Sequence, residues 1–405
     1  MEKKPVSVFN IAVIVAALGY FVDIYDLLLF SIIRVPSLRD LGLDDAGIAS
    51  DGLLIINFQM IGLMLGGIVW GVLGDMKGRL KVLYASIILY SLGNIANGFV
   101  QTVEQYAVIR LITGFGLAGE LGAGITLVSE LLPKNKRGIG TSMVAGIGLT
   151  GAVFAFFIKE NFHWRTCYFI GGGLGLMLLF LRVGVLESGL FENLDRKVKK
   201  GNFLMFFTNK ERLKRYILCI LIGLPTWYVI GILVSFSKEF GEQMNIIGEI
   251  DPGKAIMFAY VGISVGDIAS GLVSQAFKSR KKALHLFFGI TAVAISFYFM
   301  LNGSTAGQMY AVCTLLGFAT GFWAIFVTIA AEQFGTNIRA TAATTVPNMV
   351  RGSLALISLL FTGLMPYIGY INSGMVTGLV VMAIAWTAVF LSQETFHKDL
   401  NFVEE

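Results

Sequence analysis

Asp23 and Asp26 stand three residues apart in "VDIYDLLLF" (22–30), a run otherwise fit for the middle of a lipid bilayer. Glu120, Asp267, Arg110 and Arg351 are likewise set inside long apolar stretches. Each such charge costs at least ~2.5–3.5 kcal/mol on insertion scales. Groups so placed must face a wet cavity or one another. Two carboxylates one turn apart repel, and burial adds to the repulsion, so a proton on at least one of them is favoured in some state. A carboxylate whose proton occupancy changes with exposure is what coupling to a proton gradient requires. Asp23 and Asp26 rank first as carriers, then Glu120 and Asp267. A guanidinium keeps its charge and grips a carboxylate or phosphate at two points. Arg351 is therefore the candidate anion anchor, with internal counter-ion to Asp23 or Asp26 as the rival role.

The elements that position these groups are membrane spans. The chain has 405 residues, 56% hydrophobic and 14% charged, with a mean hydropathy of +0.75. Apolar runs of about 20 residues recur throughout, each long enough to cross the hydrocarbon core. Alternating barrel strands are not seen. The reading is an all-α integral membrane protein of twelve spans near 9–33, 48–73, 80–100, 104–131, 138–158, 164–186, 216–237, 253–277, 283–301, 306–332, 340–366 and 371–393. The basic start before the first apolar run imitates a signal peptide, but the run is long and lacks a small-x-small cleavage site, so it reads as a retained first span. Cys167, Cys219 and Cys313 are scattered in apolar runs, which gives no disulfide framework and no metal spacing.

Lys and Arg concentrate in the even-numbered connections: "KGRLK" (77–81), "KNKR" (134–137), 196–215, "KSRKK" (278–282) and Arg339. This asymmetry places both termini in the cytoplasm. It also explains the net charge of +5 without nucleic acid as a partner. The one long polar stretch, 187–215, divides the chain into an N-terminal bundle (1–186) and a C-terminal bundle (216–405). It reads as a linker, with anionic lipid headgroups as a secondary partner. The two parts echo one another at an offset of about 203 residues: "YAVIRLITGFG" (106–116) with "YAVCTLLGFATG" (310–321), and "SELLPKNKRGIGTS" (129–142) with "AEQFGTNIRATAAT" (331–344). Paired helical units of this kind are a signature of secondary transporters, whose site lies between the units near the midplane.

The loop "GVLGDMKGRLKVL" (71–83) resembles, through Gly71, Asp75, Gly78, Arg79 and Lys81, the loop pattern of the major facilitator superfamily. The resemblance covers essentially the whole chain. "DIYD" (23–26), "RLITGFGLAGELGAGITLVSE" (110–130) and "IRAT" (338–341) with Arg351-Gly352 are similar to the aromatic-acid/proton and metabolite/proton symporter branches. The second copy of the loop, "GLVSQAFKSRKK" (271–282), carries Gln275 where Asp75 aligns, so an asymmetric gate is expected. The resemblance implies a major facilitator fold. It also implies a cytoplasmic gate of Gly71, Asp75, Gly78, Arg79, Glu130, Arg137, Glu332 and Arg339, in which Asp75 approaches the start of span eleven, where the helix dipole favours an acid.

The substrate-binding set expected is Arg351, Tyr25, Trp323, Glu120 and Trp227, with Asp23, Asp26, Glu120 and Asp267 coupling protons. The leading function is proton-coupled symport of a small organic anion, a carboxylic acid or amino acid, by alternating access. Export of drugs or siderophore-like compounds, and uptake of a neutral sugar or nucleoside, are the alternatives; "GIGLTGAVF" (146–154) lacks the proline of drug antiporters. His163, His285 and His397 are dispersed, and no nucleophile–base spacing appears, so an enzyme is not expected. No cofactor beyond the proton, a monomer, and a multi-pass location in a bacterial inner membrane complete the reading.

Overall fold

Within a bilayer every backbone polar group needs a partner inside the protein, and the helix ends show how this is met. Thr102, Asn209, Asp251, Ser279 and Thr305 each accept backbone N–H groups in the first turn of the helix they open, Thr305 within a full capping box with Gln308. The computed structural model describes residues 11–77, 79–120, 134–182, 203–396, 398 and 402–404.

The long helices are α1 (Ile11–Asp40), α2 (Asp45–Lys77), α3 (Arg79–Asn97), α4 (Val103–Leu117), α5 (Lys134–Asn161) and α6 (Trp164–Arg182). They are followed by α7 (Lys210–Tyr228), α8 (Pro252–Phe277), α9 (Arg280–Phe299), α10 (Ala306–Thr320), α11 (Trp323–Glu332), α12 (Arg339–Gly352), α13 (Leu354–Ile368) and α14 (Tyr370–Leu391). Among the described residues ten helical stretches are long and apolar enough to cross a membrane. Three expected spans are broken rather than continuous. α7 passes into a π-helical stretch, Val229–Val234, just after Pro225. α10 stops at Thr320 and α11 starts at Trp323. α12 and α13 meet at Ser353. α1 also runs past its expected end, through Pro36 to Asp40.

The helices pack as two bundles. In the first, α1 lies on α5 and α6, α2 on α4, and α3 on α4 and α6; in the second, α8 lies on α10, α7 on α14, and α9 on α10 and α14. The bundles meet where α2 packs on α12 and α5 on α8. The expected repeat is visible atom by atom. A methyl group on Gly62, Gly66 or Gly114 would strike the carbonyl oxygen of Leu111, Phe115 or Gln59; one on Gly262, Gly266 or Gly317 would strike that of Thr314, Phe318 or Ala259. Both bundles thus use one backbone-to-backbone seam that only glycine permits. Tyr25 and Tyr228 likewise each donate to a carbonyl of the helix opposite, Cys167 O at 2.8 Å and Gly374 O at 2.7 Å.

The chain's end is tied to the second bundle. The Glu404 carboxylate accepts from Arg212 and Arg215, and Asn337 donates to its backbone carbonyl. Burial works against ionisation of Glu394, yet the Ser279 hydroxyl and the N–H groups of Arg280, Phe396 and Lys281 hold it below the usual carboxylate range, so it caps α9 as an anion.

Gly66→Ala and Gly266→Ala should each lower the melting temperature of the detergent-solubilised protein, by an overpacking cost of about 1–3 kcal/mol. Similar losses in the two variants are expected from the shared geometry; unchanged melting in either would contradict the close backbone approach.

Candidate functional site

α1 carries Asp23 to the junction between the bundles, and α12 carries Arg351 to meet it. Arg351 Nη2 and Asp23 Oδ2 are 3.8 Å apart, with side chains 1% and 0% exposed. That distance is outside hydrogen-bond reach. Both Asp23 oxygens and Arg351 Nε lack a hydrogen-bond partner. The pair is matched in charge but not in hydrogen bonding. Arg351 Nη1 donates to Asn348 Oδ1 at 3.2 Å, and Asn348 Nδ2 donates to Ala118 O at 3.0 Å, across to the first bundle. The Trp323 ring centroid lies 6.0 Å from the guanidinium carbon, at the outer limit of a cation–π contact. Tyr20 and Tyr260 stand within electrostatic range of both Arg351 and Asp23. The expected residues Asp23, Arg351 and Trp323 are therefore together, on α1, α11 and α12.

Asp267 is nearby but differently engaged. Its Oδ1 accepts the Ala324 N–H at 3.0 Å, in the first turn of α11. A carboxylate there satisfies an orphan donor and complements the helix dipole. Gly321 makes the break tight, since a methyl on it would lie 2.5 Å from Gly266 Cα.

Glu120 is not at the Asp23–Arg351 contact. It forms a buried, two-point pair with Arg182 at the end of α6; the second bond, Nη1 to Oε2, is 3.1 Å. Gly19 on α1 leaves the room, because any side chain there would collide with Glu120 and Arg182. Asp26 points into the interior of the first bundle, where Arg110 Nη2 donates to its backbone carbonyl at 2.9 Å and both carboxylate oxygens lack a hydrogen-bond partner. Tyr25 is bonded to Cys167 O and its ring lies against Phe154, so it is packed between α1, α5 and α6. Trp227 is 4% exposed, and its Nε1 has no hydrogen-bond partner.

Of the expected gate, Gly78 and Glu130 lie outside the described residues, as do the side chains of Asp75, Arg79 and Arg137. Gly71 lies on α2 against Thr341, Thr344 and Thr345 of α12. Glu332 accepts from Arg280 at 3.2 Å and from Thr395 at 2.6 Å. Arg339 Nε donates to Ala331 O and Phe334 O, both at 3.2 Å.

At the α1–α2 end, ion pairs join the bundles. Arg34, fully buried, meets Glu239 with Nη1–Oε1 at 2.6 Å and stacks 4.3 Å from the Phe236 centroid. Lys159 meets Asp251 at 2.5 Å, and Lys238 meets Asp45 at 3.1 Å. Between them lies a cavity of about 850 Å³ whose lining includes Arg39, Asp40, His163, Trp164 and Lys254. Sequence reasoning missed Arg34 and Arg182 as site elements. Each stands at the edge of an apolar run and reads as a flanking charge. Asn348 and Tyr260 gave no signal beyond being polar groups in apolar runs.

Two helical bundles that meet over a buried ion pair, in a chain with ten membrane-crossing stretches, define a polytopic membrane transporter. The chain belongs to the Major Facilitator Superfamily, whose model matches residues 11–359. It is accordingly a multi-pass protein of the cell membrane and not an enzyme. The niacin transporter NiaP of Acinetobacter baylyi is 26% identical, over 100% of this chain and 98% of the relative. A probable 4-methylmuconolactone transporter of Cupriavidus pinatubonensis is 25% identical, over 93% and 89%. Among solved structures, the proton:xylose symporter XylE shares the fold with a TM-score of 0.72 at 16% identity, over 97% of each chain.

Glu120→Gln should leave Arg182 buried without a counter-charge and destabilise the protein by about 3–5 kcal/mol. Glu120→Leu combined with Arg182→Met should recover most of that loss. Thermal melting in detergent checks both, and a single variant as stable as wild type would show that the pair is not a buried unit.

Proposed function

We propose that the protein is a proton-coupled symporter importing a small organic anion by alternating access. The observation that carries the reading is the Asp23–Arg351 contact, buried between the bundles yet without a hydrogen bond. An anionic cargo competes with Asp23 for the guanidinium. Once displaced, Asp23 is a buried carboxylate without its counter-ion and is driven to take a proton. Among the described residues, once Arg34 and Arg212 are set against their partners Glu239 and Glu404, the remaining buried charges support such a step: Asp23, Asp26, Glu120 and Asp267 stand against Arg110, Arg182 and Arg351, one acid in excess. One proton balances the empty core, and an anion brings a second with it. Trp323, Tyr20 and Tyr260 frame the cargo, and Trp227 supplies a further free donor.

The name of the niacin transporter favours an anion. Niacin is a carboxylic acid, a group an arginine holds at two points. The named activity of XylE supports protons as the coupling ion. In this reading the chain crosses the membrane twelve times with cytoplasmic termini, residues 1–186 and 216–405 rock about the centre, and 187–215 links them. The α1–α2 end then faces outward, so the Arg34–Glu239, Lys159–Asp251 and Lys238–Asp45 pairs close the outer side and must part to admit cargo. Asp75, Arg79, Glu130, Arg137, Glu332 and Arg339 close the cytoplasmic side in the alternate state. The protein acts as a monomer with no cofactor.

In proteoliposomes with an imposed proton gradient, a panel of organic acids beginning with niacin should yield a cargo that accumulates. Asp23→Asn should lower gradient-driven accumulation at least about tenfold while exchange of internal for external cargo persists. Arg351→Lys should weaken cargo binding by about 1.5–3 kcal/mol, the worth of a hydrogen bond to a charged group. Full accumulation by Asp23→Asn, or no uptake of any acid by the wild type, would reject the assignment.

A further inference from the structure

The first bundle contains a line of buried polar groups that the cargo contact does not use. Ser37 Oγ, Tyr106 OH and Tyr168 OH follow one another, at 3.5 Å for the first step and 2.6 Å for the second. Tyr106 stacks on Trp164, their centroids 6.0 Å apart, and Trp164 is a wall of the cavity at the α1–α2 end. Trp164 Nε1 donates to Asp40 Oδ2 at 3.0 Å, and His163 lies 4.0 Å from the same oxygen. The line therefore starts one turn behind an acid and an imidazole that open on the cavity. At its inner end the Tyr168 ring lies 5.6 Å from the Arg110 guanidinium carbon. One turn along α6, a methyl on Gly171 would lie 2.6 Å from Asp26 Oδ1, so the Asp26 carboxylate rests on the same helix face.

Asn94, Arg110 and Tyr90 stand near that carboxylate, and both Asp26 oxygens, Arg110 Nε, Asn94 Nδ2 and Tyr90 OH are without a hydrogen bond of good geometry. Buried polar groups are otherwise bonded to protein or to ordered water. The charged and titratable groups facing Asp26 are Arg110, Asp23, Tyr25, Tyr90 and Tyr168. A role in packing alone would be repeated in the second bundle, which shares the helix seams. The sequence echo sets Tyr106 beside Tyr310, but in the packed seam Leu111 and Phe115 match Thr314 and Phe318, and in that register Asp26, Tyr106 and Arg110 correspond to Val229, Met309 and Cys313, all buried and none able to carry the line on.

The geometry points to a hydroxyl relay, Ser37–Tyr106–Tyr168, that delivers protons from the α1–α2 cavity to Asp26 inside the first bundle, apart from the path taken by cargo. This rests on the proton-coupled reading above. In each transfer a hydroxyl oxygen accepts one proton and releases its own to the next oxygen. O–H bonds form and break in equal number, and rotation of the hydroxyls resets the line. The proposed last step, from Tyr168 to Asp26, passes through a bridging water. The relay groups are positioning residues; Asp26 is the acceptor.

The test follows hydrogen–deuterium exchange of the Asp26 carboxyl by time-resolved infrared spectroscopy of the reconstituted protein, which needs no cargo. The Asp26 band is the protonated-carboxyl signal that Asp26→Asn removes. Tyr168→Phe and Tyr106→Phe keep the rings and remove only the hydroxyls. Each should slow exchange of that band about tenfold or more while leaving its final amplitude unchanged. Tyr25→Phe removes a buried hydroxyl within electrostatic range of Asp26 but bonded to Cys167 O, off the line, and should exchange at the wild-type rate. If either relay variant misfolds, the other decides. Wild-type rates in the relay variants, or equal slowing in Tyr25→Phe, would overturn the relay while leaving proton coupling at Asp23 intact. Absence of any band lost in Asp26→Asn would overturn the relay and remove Asp26 from the coupling scheme as well.

Discussion

The structure depends on how ionic charge is matched where water is excluded. A charge moved from water to a low-dielectric interior loses several kcal/mol even after relaxation. The loss is recovered only when a counter-ion and hydrogen bonds are both supplied. The chain supplies them unevenly. Glu120 and Arg182 are joined at two points, and Arg34 has Glu239 and two carbonyls. Asp23 and Arg351 have each other's charge but no bond between them. Better-matched pairs hold helices together; the under-matched Asp23–Arg351 pair, set between the bundles, is one a ligand can displace at small cost. Glu120–Arg182 and Asp23–Arg351 thus differ in hydrogen bonding at similar burial.

The packing that holds these ions carries the same logic into the backbone. Helices in lipid gain little by burying apolar surface against each other, so close backbone contact matters more. The glycine seams of α2 with α4 and of α8 with α10 bring main chains together without intervening side chains. Helix breaks then occur where polar function is needed. The α10–α11 break lies against Asp267, whose carboxylate replaces the missing intrahelical acceptor. The α12–α13 break follows Arg351 directly, and the π-helical stretch follows Trp227. Irregular backbone at membrane depth is tolerated only where protein or a cavity supplies its partners.

Much of this was legible in the sequence. The length and apolarity of the spans, the repeat, and the family loop at Gly71–Lys81 give the membrane class and the family, because lipid imposes a strong and simple constraint. Counting about 1.5 Å per residue along the expected spans puts Asp23, Arg351 and Trp323 near the middle of the membrane. Depth does not fix azimuth, and there the reading was weaker. Tyr25 is in the same helix turn as Asp23 but turns toward α5 and α6. Glu120 is engaged by Arg182, an arginine at a span's end whose partner no spacing rule reveals. The breaks in spans seven, ten and eleven were invisible as well. The breaks after Pro225 and at Gly352-Ser353, with Pro347 just before it, have local causes in the sequence; the one at Gly321 answers to residues distant along the chain, Gly266 and Asp267.

The duplicated glycine seam has a consequence for biogenesis. A contact made of bare backbone carries little information about which helix it should receive. On seam geometry alone α2 would accept α10 about as readily as α4, and α8 either of them. Temporal order resolves the ambiguity. α4 leaves the ribosome soon after α2, when the corresponding pair does not yet exist, and closing a short loop is entropically easier than closing a long one. Vectorial synthesis therefore acts as the address label that the interface lacks, and a reshuffled or split gene would have to supply that label by other means.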